Sequence, residues 1–100
     1  MSILFISHSD CALHEMGSGH PESPARLEAI RARLDASDFS SELVHIDAPM
    51  ADKEQLYRAH DRSYVDAIFD AAPSSGRIML DPDTSMNQYS LNAALRAAGA

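Results

Sequence analysis

The sequence predicts an α/β fold whose sheet is parallel. Ile3 to Ser7 (ILFIS) is a short and largely apolar run, and Leu43 to Ile46 (LVHI) is a second one. Such runs are typical of strands that are buried on both faces of a parallel sheet. Leu27, Ile30 and Leu34 recur between them at helical spacing, which indicates a connecting helix. A strand, a helix and a strand in this order predict a right-handed βαβ unit.

The first helix has a clear start in the sequence. Ser23 offers a hydroxyl for capping, and Pro24 suits the first helical position. The helix is therefore predicted to run from Pro24 to about Ala36. The preceding segment, from Ser7 to His20, is polar and contains two glycines, so it predicts a long loop.

Two further helices are predicted after the second strand. Asp52 and Gln55 have the spacing of a capping box, which indicates a short helix that includes Tyr57. Asp61 to Ala72 carries its apolar side chains on one side of a helix. The Pro-Ser-Ser-Gly stretch at 73–76 ends that helix.

The last part of the chain combines a predicted loop with a predicted helix. Arg77 to Ser85 contains Asp81, Pro82 and Asp83, which are common loop residues. A final helix is expected from about Asn87 to the end of the chain. It is rich in small residues, mainly alanine with Gly99, and small residues allow a helix to approach its neighbours closely.

These elements predict an unfinished sheet. Two short parallel strands are a poor basis for an independent fold, because a stable sheet normally needs three or more strands. Few segments are available to cover both faces, and the last helix ends without a cap or a polar tail. Residues 1–100 are therefore expected to be the N-terminal portion of a larger domain.

Composition and charge exclude several classes of protein. Apolar residues make up 45% of the 100 residues, which argues against disorder. The net charge is −7 and the 8 basic residues are scattered, so the footprint of nucleic-acid binding is missing. An acidic surface favours solubility, and it can also attract cations such as polyamines or lysine tails.

The sequence also indicates a compartment. Cys11 is the single cysteine, so no intrachain disulfide can form and a reducing environment is expected. No apolar run approaches the roughly 18 residues of a membrane span, and the N-terminus lacks the pattern of a secretory signal. We expect a cytoplasmic protein without a membrane partner.

The loop between residues 7 and 22 is the densest polar feature. It contains His8, Asp10, Cys11, His14, Glu15, His20 and Glu22. Cys11 and His14 have a spacing that can chelate zinc, but no second close pair accompanies them, so a polar surface loop is favoured over a metal site or a thiol nucleophile. The Gly-Ser-Gly stretch at 17–19 lacks the residues of a P-loop or a dinucleotide fingerprint.

Three charged residues leave alternatives open. Asp81 and Asp83 can accept hydrogen bonds from a substrate N–H at a pocket rim, or they can be ordinary loop residues ahead of a helix. Arg26 lies in the first turn of the first helix, where a cation opposes the helix dipole. It is either solvated, which local physics favours, or held by a buried partner.

Residues 19–27 read Gly-His-Pro-Glu-Ser-Pro-Ala-Arg-Leu, followed by Ala29 and Ile30. This string resembles the opening of the histone deacetylase superfamily, in particular class II and bacterial members and acetylpolyamine amidohydrolase relatives. His60 to Val65 is similar to the family's H-x-x-x-Y-V segment, and Asp81 to Ala100 is similar to the loop and helix before its catalytic centre. The resemblance covers essentially the whole chain.

The resemblance implies a fold and an activity. The fold is the arginase-deacetylase fold, of which this chain would be the incomplete N-terminal βαβ part. The activity is zinc-dependent hydrolysis of an acetyl amide, in acetyl-lysine or an acetylpolyamine, by a parent protein. The catalytic residues and zinc ligands of that family would lie after residue 100, so the chain alone is expected to be inactive and to bind no metal.

The resemblance also implies roles for individual residues. Arg26 matches an arginine that lines a channel beside the active site. Asp83, with Asp81 as the second candidate, falls near the rim carboxylate that binds the substrate N–H. The pocket loop would consist of His20, Pro21 and Glu22.

Two alternatives remain open at this point. One is a short chain of the same fold that binds or regulates without catalysis, as a monomer or as a homo-oligomer that completes the sheet. The other is a small metal-binding protein that uses Cys11 and His14.

Overall fold

The computed structural model describes all residues, 1–100. The elements in chain order are β1 (Ile3–Ser7), α1 (Pro24–Asp35), β2 (Leu43–Asp47), α2 (Lys53–Tyr57), α3 (Arg62–Ala71), β3 (Arg77–Asp81), β4 (Thr84–Asn87) and α4 (Ser90–Gly99). Short 3₁₀ turns occupy Ser9–Ala12 and Ser40–Glu42. None of these helices has the length and apolar character that crossing a membrane requires.

The predicted βαβ unit is confirmed. β1 and β2 pair in parallel from Ile3 opposite Leu43 to Ser7 opposite Asp47, and α1 connects them. The prediction that both strands are buried on both faces is wrong within these 100 residues. No residue of either strand is buried, and Leu4 is 56% exposed. The other elements pack mainly around α4 and leave the apolar faces of this sheet uncovered.

The helix starts differ in how they are capped. Asp52 and Gln55 form the predicted capping box, with each side chain accepting a hydrogen bond from the other residue's backbone N–H at 2.8 and 2.9 Å. Ser23 stands at the N-cap of α1 in an extended conformation, but its side chain makes no capping hydrogen bond. Pro24 at the start of α1 has no N–H to satisfy, and the Arg26 N–H donates to the Ser23 carbonyl instead.

Residues 77–85 form a β-hairpin, not the predicted loop. β3 and β4 pair in antiparallel fashion from Arg77 opposite Asn87 to Asp81 opposite Thr84, with an irregularity between Met79 and Asp81. The turn consists of Pro82 and Asp83, because proline presets the backbone angle of a first turn position. The final helix accordingly begins at Ser90, after β4 ends.

The small core is centred on α4. The buried residues are Ala48, Ala51, Val65, Ser85, Met86, Ser90, Ala93 and Leu95. The prediction of close helix packing holds at Gly99, where a Cβ atom would lie 1.9 Å from the Pro49 carbonyl oxygen. The Ala51 N–H donates to the Leu95 carbonyl at 2.9 Å along the same contact.

Arg96 connects α4 to the carboxyl ends of both parallel strands. Its Nε donates to Asp10 Oδ2 at 3.1 Å, just after β1, and its Nη1 donates to the Ala48 carbonyl at 2.9 Å, just after β2. In open α/β sheets, ligands bind beyond the carboxyl ends of the strands. Arg96 therefore links α4 to the edge of the sheet where a site is expected.

Candidate functional site

The polar loop before α1 lies along the β3–β4 hairpin. At the open end of the hairpin, Asn87 Nδ2 donates to the Leu13 carbonyl at 2.8 Å. Gly17, with φ of +110°, brings its backbone against the Arg77 guanidinium, which would be 2.7 Å from a Cβ atom there. A glycine is needed at this position because other residues rarely adopt such an angle. The loop is thus docked on β3 and β4 before it reaches the turn.

At the turn, the loop and the hairpin meet through one side-chain pair. His20 Nε2 lies 3.1 Å from Asp83 Oδ1, and the Glu22 backbone N–H donates to His20 Nδ1 at 3.0 Å. The His20 side chain is 22% exposed, whereas the Asp83 side chain is 92% exposed. Two segments that are 63 residues apart in sequence therefore place their predicted site residues side by side.

The two candidate rim carboxylates have different surroundings. Asp81 Oδ1 accepts a hydrogen bond from the Asp83 backbone N–H at 2.8 Å, which is the geometry of an Asx turn. Asp81 therefore shapes the turn, and Asp83 projects from it into solvent. Leu80 and Thr84, which flank this turn, line a cavity of about 510 Å³, so Asp83 lies on a turn whose neighbouring residues contribute to the cavity wall.

Arg26 and Glu22 lie on the wall of the same cavity. Arg26 Nη2 is 3.4 Å from Glu22 Oε1, and the arginine side chain is 50% exposed. The alternative of a buried partner for Arg26 is therefore wrong for this chain, since Glu22 is also about half exposed. The lining of a channel by Arg26 stays a prediction, and its place on the cavity wall agrees with it.

His60 and Tyr64 line this cavity too. Their ring centroids are 5.8 Å apart, and Tyr64 is half exposed. The remaining lining is largely apolar and comes mostly from α3 and α4. The available signal for both was the resemblance of His60 to Val65 to the family's H-x-x-x-Y-V segment, since His60 precedes α3 and Tyr64 lies in its first turn.

The polar residues of the loop do not gather around a common point. Cys11 Sγ points to the Ala93 carbonyl at 3.8 Å, and His14 Nδ1 lies 2.6 Å from Ser90 Oγ. His8 Nδ1 accepts the Asp10 backbone N–H. No three His, Cys, Asp or Glu side chains are arranged to hold a metal ion, so the residues of this chain do not fit the zinc that the resemblance implies.

Two side chains with shifted pKa values, Tyr57 and Asp66, lie outside the cavity, between α2 and α3. The pKa of Tyr57 is raised, chiefly because its hydroxyl donates to the Asp66 carboxylate. The pKa of Asp66 is lowered, first by that hydrogen bond and then by Lys53, whose Nζ is 3.4 Å away. This pair joins two helices and does not face the candidate site.

The parallel βαβ start and its flanking helices define an α/β protein. Residues 20–100 match the histone deacetylase domain. The chain is similar to Histone deacetylase 15 of Arabidopsis thaliana, with 38% identity over 81 residues, which are 80% of this chain and 14% of that protein. The chain belongs to the histone deacetylase family.

A solved structure extends the match to nearly every residue. The chain is similar to the HDA15 HD domain, with a TM-score of 0.80 and 34% sequence identity, over 98% of this chain and 29% of that one. The chain thus spans less than a third of each of these relatives. The family and the partial arginase-deacetylase fold that the sequence predicted are confirmed.

Proposed function

We propose that the protein carrying this chain hydrolyses an acetyl amide, in acetyl-lysine or in an acetylpolyamine, and that this chain supplies the rim and one wall of the substrate pocket. Membership of the histone deacetylase family supports a deacetylase-type hydrolysis. The observation that carries the pocket assignment is the exposed Asp83 carboxylate on the turn between Leu80 and Thr84, which line the same cavity as Arg26. The zinc ligands and the proton-transferring groups belong to residues outside this chain.

The geometry suits a carboxylate that receives the substrate. A carboxylate is an acceptor only, and a hydrogen bond from an amide or ammonium N–H to it is charge-assisted. Asp83 is held at a two-residue turn, where its carboxylate reaches away from the backbone. The net charge of −7 favours the approach of cationic lysine tails or polyamines.

The test is steady-state hydrolysis by the intact protein, measured with an acetyl-lysine peptide and with an acetylpolyamine. Asp83→Ala is expected to lower kcat/KM about 10-fold or more for the preferred substrate, because a charge-assisted hydrogen bond is worth roughly 1.5–3 kcal/mol. Asp38→Ala is the matched control, since Asp38 is an exposed carboxylate without an ion pair.

The outcomes separate two parts of the proposal. Intact protein that turns over neither substrate contradicts the proposed activity. An active protein whose kcat/KM is unchanged by Asp83→Ala contradicts the rim role alone. The isolated chain 1–100 is expected to show no turnover even with added zinc, because its residues do not form a metal site.

A further inference from the structure

We propose that His20 is a positioning residue that holds the Asp83 carboxylate in the orientation in which it receives the substrate N–H. This inference rests on the proposed function of Asp83. It concerns a residue that does not itself touch the substrate, and it assigns each ring nitrogen of His20 a separate task.

The hydrogen bonds of the ring fix its protonation pattern. Nδ1 accepts the backbone N–H of Glu22 at 3.0 Å, and a nitrogen that accepts an N–H carries no proton of its own. The proton of the neutral imidazole therefore resides on Nε2, which donates it to Asp83 Oδ1 at 3.1 Å. In histidine, the bond made by one nitrogen decides the role of the other. The Glu22 backbone thus makes His20 a donor toward Asp83.

Asp83 needs such an anchor more than its neighbours do. Its side chain is 92% exposed, and His20 is its one hydrogen-bond partner in this chain. A carboxylate that turns freely must be immobilised when the substrate binds, which weakens binding. The His20 side chain is 22% exposed and is held by the Glu22 backbone N–H. Its hydrogen bond can therefore keep the exposed Asp83 carboxylate in one position.

The loop does not depend on His20 to stay on the hairpin. The Asn87 bond to the Leu13 carbonyl and the approach of Gly17 to Arg77 hold the loop at the other end of β3 and β4. Loss of the His20 ring is therefore expected to release Asp83 while the loop remains docked. This separates a positioning role from a general role in folding.

Two substitutions of His20 divide its tasks. In His20→Asn, the amide oxygen can accept the Glu22 N–H in place of Nδ1, but the shorter side chain does not reach Asp83. In His20→Gln, the longer amide can donate to Asp83 in place of Nε2. We expect His20→Asn to raise KM of the intact protein about 2- to 10-fold with little change in kcat, and His20→Gln to recover most of the loss.

A double substitution sharpens this result. In an Asp83→Ala background, His20→Asn is expected to have no further effect on KM, because the group it positions is gone. Equal effects of His20→Asn and His20→Gln, or an additive effect in the Asp83→Ala background, would overturn the inference.

A second readout is independent of activity. Nitrogen NMR of the His20 ring in the intact protein is expected to show a proton on Nε2 and none on Nδ1, and the Nε2–H signal is expected to shift in Asp83→Ala. A proton on Nδ1 at neutral pH would overturn the inference even if the enzyme is active. The expected pattern in a protein without deacetylase activity would leave the pair standing and overturn only the proposed function.

Discussion

The region around α4 and the two-stranded sheet are built in different ways. The hairpin and α4 contribute five of the eight buried residues, Ser85, Met86, Ser90, Ala93 and Leu95. β1 and β2 contribute none, although β1 is almost wholly apolar, and α1 also contains no buried residue. The sheet is held by its backbone pairing, whereas α4 is held by buried side chains together with hydrogen bonds from Ala51 and Arg96.

This difference identifies the structural elements that support the candidate site. Asp83 and its partner His20 are supported by the hairpin, which precedes α4 directly, and by a loop that is tied to it. The exposed sheet contributes through Arg96, which links α4 to the ends of β1 and β2. Substitutions on α4 are therefore expected to disturb the positions of His20 and Asp83 more than substitutions on the faces of β1 and β2.

The largest effect on stability is expected from Gly99→Ala. The added Cβ would lie 1.9 Å from the Pro49 carbonyl oxygen and 2.9 Å from the Ala51 nitrogen. Both are backbone atoms, which cannot rotate away. We expect a loss of about 3 kcal/mol in the unfolding free energy of the intact protein, the upper end of overpacking effects, measured by urea unfolding.

The sign of this effect is diagnostic. In a helix without neighbours, alanine is favoured over glycine by about 1 kcal/mol, so Gly99→Ala would stabilise if α4 did not pack against the segment after β2. Asn92→Ala is the control, because Asn92 is exposed on the same helix. It is expected to change stability by no more than about 0.5 kcal/mol. A stabilising Gly99→Ala would remove α4 from the centre of the core.

Arg96→Met tests the connection between the two regions. It keeps an unbranched apolar stem but removes the donors to Asp10 and to the Ala48 carbonyl. Because the Asp10 carboxylate and the carbonyl of the buried Ala48 both lose a donor, a loss of about 1–2 kcal/mol is expected. Arg96→Lys should recover part of it, since one ammonium cannot reproduce the guanidinium fork.

Arg33→Met provides the matched control for Arg96. Arg33 lies near the end of α1, is exposed and makes no ion pair, so its loss is expected to change the unfolding free energy by less than about 0.5 kcal/mol. Equal effects of the two substitutions would mean that the sheet and α4 are not coupled through Arg96.

The sequence predicted well those elements whose signals are local. β1 was expected and found at Ile3–Ser7, and α1 was expected to end near Ala36 and ends at Asp35. The capping box of α2 was also found, because Asp52 and Gln55 satisfy each other without help from the rest of the chain. The capping prediction was wrong at Ser23, because its hydroxyl makes no capping hydrogen bond and its backbone carbonyl accepts the Arg26 N–H instead.

The β3–β4 hairpin was not predicted because its sequence contains both loop-forming and strand-forming residues. Asp81, Pro82 and Asp83 are loop residues, but Ile78 to Leu80 before them is a short apolar run that suits a strand. A turn flanked by such a run and by Thr84 is a hairpin signal when both sides are weighed together. The pairing of His20 with Asp83 could not be read from spacing, since it joins segments that meet only after the hairpin forms.

The smallest effect on stability is expected from substitutions at the Tyr57–Asp66 pair. This pair lies neither around α4 nor in the β1–β2 sheet, so it serves as a reference for the comparison of the two. The lowered pKa of Asp66 means that its stabilising contribution is present above the unfolded value of 3.8 and is lost as the pH falls through the folded pKa. The raised pKa of Tyr57 means that its contribution is present below 10.0 and is lost as the pH rises through the folded pKa. Between these limits the stability difference between wild type and Tyr57→Phe should not vary with pH.

A double-mutant cycle of Tyr57→Phe and Asp66→Asn, followed by thermal unfolding across the pH range, measures this coupling. The coupling is expected to be small, to be constant from about pH 5 to 9, and to disappear toward both extremes. His60→Gln is a control outside the pair and should show no such profile. A coupling that vanished near neutral pH would contradict the hydrogen bond. A coupling as large as the effect of Arg96→Met would mean that α2 and α3 form a third structural centre beside α4 and the sheet.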